Sequence, residues 1–380
     1  MLTRRSILGS ILALGVVPAM VRGDALMRIV PPNPGPSGGG TSTPGSPPTT
    51  SGKYTVLSMP PMPSDGHAVA PFMNGQTTKH VAMVEVAPGK VAAYAGDFTG
   101  APYVDSYRQD AFTLDLASNT WTLRETYAKA GLKPKRPDTM GIAWDALKSR
   151  ILLIPGILSE SPPPPAGAWA HHADGTWTVD NGLQWGTGMM RGGCMDAHTR
   201  RWIAVGESAT LGSVVRDYNI DDWSKATTTP WPGADGTFQT YVDQSLPCIV
   251  GRYVYFVAQT KFASGAPIQV RFYRWNIDAR GPVQRLADPP VANSTPESTL
   301  LAGSGTKVVW PHILGPEGVI DAMLVYDVAT DKWVADAARP NVPATEFLMN
   351  SLCALADGRV LMGGSAFNTT RQRHIFIYRP

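Results

Sequence analysis

Residues 110–123, DAFTLDLASNTWTL, and residues 321–334, DAMLVYDVATDKWV, are two copies of one pattern. In each, an apolar run ends in Asp (Asp115, Asp327), a four-residue polar turn follows, and Trp stands six positions after the Asp (Trp121, Trp333). A strand, a tight polar turn and a second strand opened by an aromatic residue make a hairpin. Another hairpin precedes each. KHVAMVEVAPGKVAAYAG turns at Pro88-Gly89, and SLCALADGRVLMGG turns at Ala356-Asp357-Gly358. The repeating unit is therefore four strands, a to d.

The end of strand b is marked by Gly96, Gly156, Gly206, about Ala258, about Pro311 and Gly364, at spacings of 60, 50, 52, 53 and 53 residues. A four-strand unit repeating at about 50 residues predicts an all-β fold, a β-propeller. The chain ends HIFIYRP, a strand c with no strand d after it, while GKYTVLSMPPMP near the start matches NTWTLRE, with Tyr54 in the Trp position. The N-terminal strand is thus expected to complete the last blade. Five whole blades and one shared blade make six, and joining the termini in one blade removes the open edges of the ring.

The Gly363-Gly364 doublet, the Tyr326-Asp327 pair and the Trp at 121, 177 and 333 resemble Kelch repeats over residues 53–380, and the degenerate propellers of the galactose oxidase superfamily are similar. The motif departs from that pattern in blade 4, FYRWNIDARGPVQRL, which lacks the Trp, and in blade 3, where Trp223 is displaced. The resemblance implies a binding surface made by the b–c and d–a loops on one face of the ring. On that face the first b–c loop carries Tyr103, Tyr107 and Arg108, and the last carries Phe367, Asn368 and Arg371. Trp185 and Phe262 are further aromatic candidates. Tyr and Arg supply large contact area and a rigid donor fork, and aromatic faces beside amides and Arg suit sugars. The expected partner is a glycan or protein ligand on this face, bound by a monomer.

Galactose-oxidase-type enzymes use a copper site of two Tyr and two His, so the same resemblance leaves an enzyme as the alternative. The residues favour none: no pair among the seven His has a metal spacing, and His171-His172 on one strand would point to opposite faces. No catalytic residue, metal or cofactor is assigned. HADGTWTV (172–179) is similar to a sialidase Asp-box but has Asp174 and Gly175 adjacent, and is read as the blade 2 turn followed by Trp177. Cys194, Cys248 and Cys353 each fall on strand a of a different blade as small buried residues. A Cys194–Cys248 disulfide between neighbouring blades stays open, and three Cys cannot all pair in one chain.

Composition agrees with many short strands. The 380 residues hold 38 Gly, 34 Pro and 11 Trp, with only 17% charged residues, which excludes a coiled coil. Lys and Arg (33) barely exceed Asp and Glu (30), so no nucleic-acid partner is expected. Arg4, Arg5 and Arg22 fall in residues 1–23, which contain no acid. That segment, a basic start and an apolar run from Ile7 to Val21, is too short for a comfortable membrane span and reads as a signal peptide. TRRSIL resembles a twin-arginine (Tat) export signal, implying a periplasmic or extracellular protein with no membrane span after cleavage. PAMVRGDALMRIV resembles the N-termini of accessory proteins of alphaproteobacterial phages and prophages, which implies a virion-associated alternative. Residues 24–52, rich in Pro, Gly, Ser and Thr, read as a linker, and 53–380 as the propeller.

Overall fold

The computed structural model describes residues 49–51, 53–57, 78–79, 82–94, 97–98, 111–125, 141–154, 167–183, 190–208, 211–231, 245–260, 269–290, 299–314, 319–336, 348–365 and 373–380. Their regular structure is all strand. The chain enters through β1 (Thr49–Ser51) and β2 (Tyr54–Val56), and β3 (Thr78–Lys79) precedes the first blade. Blade 1 is β4 (Ala82–Ala87), β5 (Lys90–Tyr94), β7 (Ala111–Asp115) and β8 (Thr120–Glu125), with β6 (Asp97–Phe98) inside its b–c connection. Blade 2 is β9 (Gly141–Asp145), β10 (Arg150–Ile154), β11 (Ala168–His172) and β12 (Trp177–Asp180). Blade 3 is β13 (Met190–Asp196), β14 (Arg201–Ser208), β15 (Gly212–Asn219) and β16 (Asp222–Pro230). After β17 (Ser245–Leu246) comes blade 4: β18 (Cys248–Val250), β19 (Tyr253–Thr260), β20 (Gln269–Asn276) and a short β21 (Gln284–Arg285). After β22 (Thr299–Leu300) comes blade 5: β23 (Ala302–Ser304), β24 (Lys307–Leu314), β25 (Val319–Asp327) and β26 (Lys332–Asp336). Blade 6 is β27 (Leu348–Ala354), β28 (Val360–Ser365) and β29 (Arg373–Tyr378).

Blade 6 takes its strand d from the start of the chain. β2 pairs antiparallel with β29, Tyr54 opposite Tyr378, as the sequence leads one to expect. Tyr54 is buried against Tyr378 and Phe376, with ring centroids 5.1 and 6.3 Å away. β1 then adds a fifth strand outside β2. It lies inside residues 24–52, which composition assigns to the linker: Thr49 and Thr50 suit a strand once β2 offers an edge. The result is a six-bladed β-propeller of antiparallel sheets.

The core is divided among the seams between blades. Six apolar clusters occupy them, one per pair of neighbours, including blade 6 against blade 1. A sheet buried on both faces must be apolar on both, so strand b loses the polar alternation of a one-sided sheet. In β5, Val91 and Ala93 face blade 6, while Ala92 and Tyr94 face blade 2. The Trp that opens strand d lies opposite the residue before the turn: Trp121 on Leu114, Trp177 on His171, Trp333 on Tyr326. Blade 3 has only two turn residues, and a bulge in β16 lets the displaced Trp223 still reach Tyr218, 6.1 Å between ring centres. At the seam of blades 2 and 3, Trp202 lies against Gly141 and Gly193. A methyl group on either glycine would come within 2.4 Å of the indole, so only glycine fits.

One turn recurs throughout. Asp115 Oδ1 accepts the amides of Ala117 and Ser118, and Asn119 follows with φ 51°. Asp327 does the same for Ala329 and Thr330 ahead of Asp331, and Asn276 for Asp278 and Ala279 ahead of Arg280. Strands a and b of two blades are joined the same way, by Asp145 ahead of Ser149 and Asp196 ahead of Arg200. A short acceptor side chain mimics a backbone turn, and the fifth residue takes the left-handed conformation that lets strand pairing resume.

Candidate functional site

Antiparallel order puts the b–c and d–a connections on one face of the ring and the a–b and c–d turns on the other. Tyr103, Tyr107 and Arg108 belong to the connection between β6 and β7, and Phe367, Asn368 and Arg371 to that between β28 and β29. Trp185 follows β12, and Phe262 follows β19. All eight lie outside the described residues, and what is described is the frame that carries them. β3, in the connection into blade 1, pairs antiparallel with β6, in the b–c connection of blade 1, with Thr78 opposite Phe98. β17 and β22, in the connections into blades 4 and 5, pair in parallel. Connections on this face are thus tied to one another by backbone hydrogen bonds. Strands also reach further into it than expected: β14 runs to Ser208 and β24 to Leu314, where loops were expected from 206 and 311.

The opposite face, made by the a–b and c–d turns, carries an arrangement of its own. Asp145 ends strand a of blade 2, and its side chain is fully buried. Arg200, in the a–b turn of blade 3, donates Nη1 and Nη2 to Asp145 at 2.7 and 3.1 Å. The same guanidinium donates Nε and Nη2 to Asp221, in its own blade's c–d turn, at 2.7 and 2.9 Å. The next seam repeats this atom for atom. Arg252 donates Nη1 and Nη2 to Asp196 of blade 3, both at 3.0 Å, and Nε and Nη2 to Asp278, at 2.9 and 2.6 Å. These bidentate, charge-assisted bonds clasp neighbouring blades together. Burial alone would raise the Asp145 and Asp196 carboxyls. Hydrogen bonds from Arg200 and Arg150 to the first, and from Arg252 and Thr199 to the second, outweigh it and hold both below the ordinary value. Asp217, also buried at this seam, goes the other way: burial lifts it although Arg201 bonds one oxygen and Arg280 lies 3.2 Å from the other. The strings DALKSR (145–150) and DAHTRR (196–201) mark two similar a–b turns, but neither shows the partner that each Asp meets in the next blade.

At the seam of blades 5 and 6, the same face opens into a cavity of about 540 Å³. It lies between the turn that leads into Lys307 and the turn Asp357-Gly358-Arg359, with Arg379 and Pro380 at its edge. Here Ser304, whose hydroxyl donates to the Gly358 carbonyl, stands where Asp145 and Asp196 stand in their blades.

The histidines and cysteines sit in the frame. His171 is buried, stacked on Trp177 at 4.4 Å and hydrogen-bonded through Nδ1 to Tyr94 Oη at 2.7 Å. His172 faces away and meets Thr178 Oγ1. Residues 172–179 form the blade 2 turn, where Asp174 accepts the Thr176 amide, and Trp177 then opens β12. Cys194, Cys248 and Cys353 lie on strand a of blades 3, 4 and 6 and are free thiols, so Cys194 and Cys248 are not joined. Burial raises all three, Cys353 to about 12, which leaves them protonated and unreactive. Among the described residues, no group of three or more His, Cys, Asp or Glu side chains could hold a metal ion. No helix among them is long and apolar enough to cross a membrane.

No family model matches the chain, and no curated protein matches it.

Proposed function

We propose that this propeller is an exported binding module that meets a glycan or another cell-surface ligand through its b–c/d–a face. The observation that carries the reading is the β3–β6 ribbon. It anchors the start of the connection that holds Tyr103, Tyr107 and Arg108 to a second connection of the same face, on a rigid sheet. Loops held by such a frame can keep a recognition surface in place at low entropic cost. The Kelch-like repeats support the choice of face, and the Tat-like leader supports export. A glycan-array screen of the full chain, repeated with Tyr107→Ala and Arg371→Ala, tests it. Both substitutions are expected to weaken a confirmed ligand at least tenfold. A ligand indifferent to both would move binding off this face. N-terminal sequencing of protein recovered from its native host tests export, since retention of Met1–Gly23 would contradict cleavage.

A further inference from the structure

The cavity between blades 5 and 6 occupies the clasp position of that seam. Strand pairing shows the correspondence. Asp145, Asp196 and Ser304 each lie opposite the first residue of strand b in their own blades. Arg200, Arg252 and Arg359 each immediately precede strand b of the following blade. Blade 6 thus carries an arginine at the clasp position. Asp357, two residues earlier in the same a–b turn, takes Nε and Nη2 of Arg359 on one oxygen, at 2.7 and 2.6 Å, where Asp221 and Asp278, in c–d turns, take those atoms of Arg200 and Arg252 on two. The other carboxylate of the clasp, the one that strand a of the preceding blade supplies, has been replaced by Ser304, and an opening stands at that place.

The charge around it has shifted accordingly. Lys307, Arg359 and Arg379 line the opening, with Asp357 the one side-chain carboxylate among its lining residues. Asp327, opposite Lys307 in the sheet, bonds Ala329, Thr330 and the Thr330 hydroxyl through Oδ1 and also interacts by charge with Lys307, as Asp357 does with Arg379, so three cations stand against two carboxylates around the opening. We propose that this notch is a binding site for a small oxyanionic ligand, whose carboxylate or phosphate takes the place of the missing strand-a Asp. The arginine fork suits either group. Lys307 and Arg379 add charge at the same opening, and its volume of about 540 Å³ accommodates a body of sugar size. The site is on the opposite face from the loop surface and does not depend on it.

Calorimetric titration of the full chain with glucuronate, glucose 6-phosphate and glucose tests the proposal. Either or both anions should bind saturably and glucose should not, and the preference between the two anions identifies the ligand group. Lys307→Gln and Arg379→Gln change partly or fully exposed side chains, and each should weaken binding about tenfold. Ser304→Asp restores the clasp carboxylate, so it should abolish binding while leaving the melting temperature unchanged or higher. If Ser304→Asp does not fold, the two glutamine variants decide the matter. Failure of both anions to bind, binding of glucose as strong as that of glucuronate, or anion affinity indifferent to both glutamine variants would each overturn the proposal.

Discussion

The seams of blades 2–3 and 3–4 and the seam of blades 5–6 share a backbone plan and an arginine, yet they are held together differently. In the first two, one guanidinium satisfies two carboxylates from two blades, and the seam is shut. In the last, a serine–carbonyl hydrogen bond replaces the carboxylate, and the load moves to the start of the chain. There Asp336 of blade 5 receives Lys53 Nζ at 2.6 Å and Tyr378 Oη at 2.7 Å, while Tyr54 covers the apolar seam. The difference teaches that a propeller needs each seam closed but not closed alike, and that a seam closed by other means can leave an opening.

Substitutions can break each side of this comparison. Asp145→Ala leaves Arg200 and Arg150 facing an empty buried position. It should cost about 4 kcal/mol in urea denaturation, because Arg150 loses its carboxylate and Arg200 keeps only Asp221. Tyr54→Ala removes the aromatic cap of blade 6 and should cost about 3 kcal/mol by the same measurement. If it costs less than 1 kcal/mol, the N-terminal strand is not the closure of that seam. Acid should separate the seams more gently. The carboxyls of Asp145, Asp196, Asp221 and Asp278 all lie below the ordinary value. Their contribution is complete above the unfolded value of about 3.9 and is lost as the pH falls below it. Asp217 has the opposite sign and partly offsets the loss, since its raised carboxyl favours the folded state on protonation. Amide-exchange protection factors, which correct for the slower intrinsic exchange in acid, should therefore fall more between pH 6 and pH 3 in β14 and β15 than in β24 and β28. Ser304→Ala should cost only about 1 kcal/mol, the worth of one neutral hydrogen bond. A cost as large as that of Asp145→Ala would erase the contrast between the seams.

The parts of this fold legible in the sequence were those written locally. Asp327, the polar turn and Trp333 fall within seven residues, so one hairpin announces itself, and its recurrence counts the blades. Tyr54 was legible because it occupies a Trp position in the same local pattern. The clasps were not, because Asp145 and Arg200 stand 55 residues apart and Asp196 and Arg252 stand 56 apart. Each Asp also has a local task in its own turn, which hides the distant one. The cavity was harder still to see. It is marked by Ser304, an ordinary residue that gains meaning only once strand register aligns it with two aspartates in other blades.

The shared sixth blade also sets a timetable. In a chain synthesised from its N-terminus, β2 emerges about 320 residues ahead of its partner β29, since Tyr54 pairs with Tyr378. While the five blades between them are made, Tyr54 lacks Tyr378 and Phe376 to pack on, and the edge of β2 away from β1 lacks its partner. The bonds that finish the ring, Lys53 carbonyl to the Arg379 amide among them, join residues more than 300 positions apart. Pairings of such long sequence separation form late and slowly. The ring is thus locked only once β29 has been made, and until then the waiting strand is the place where one copy could pair with another.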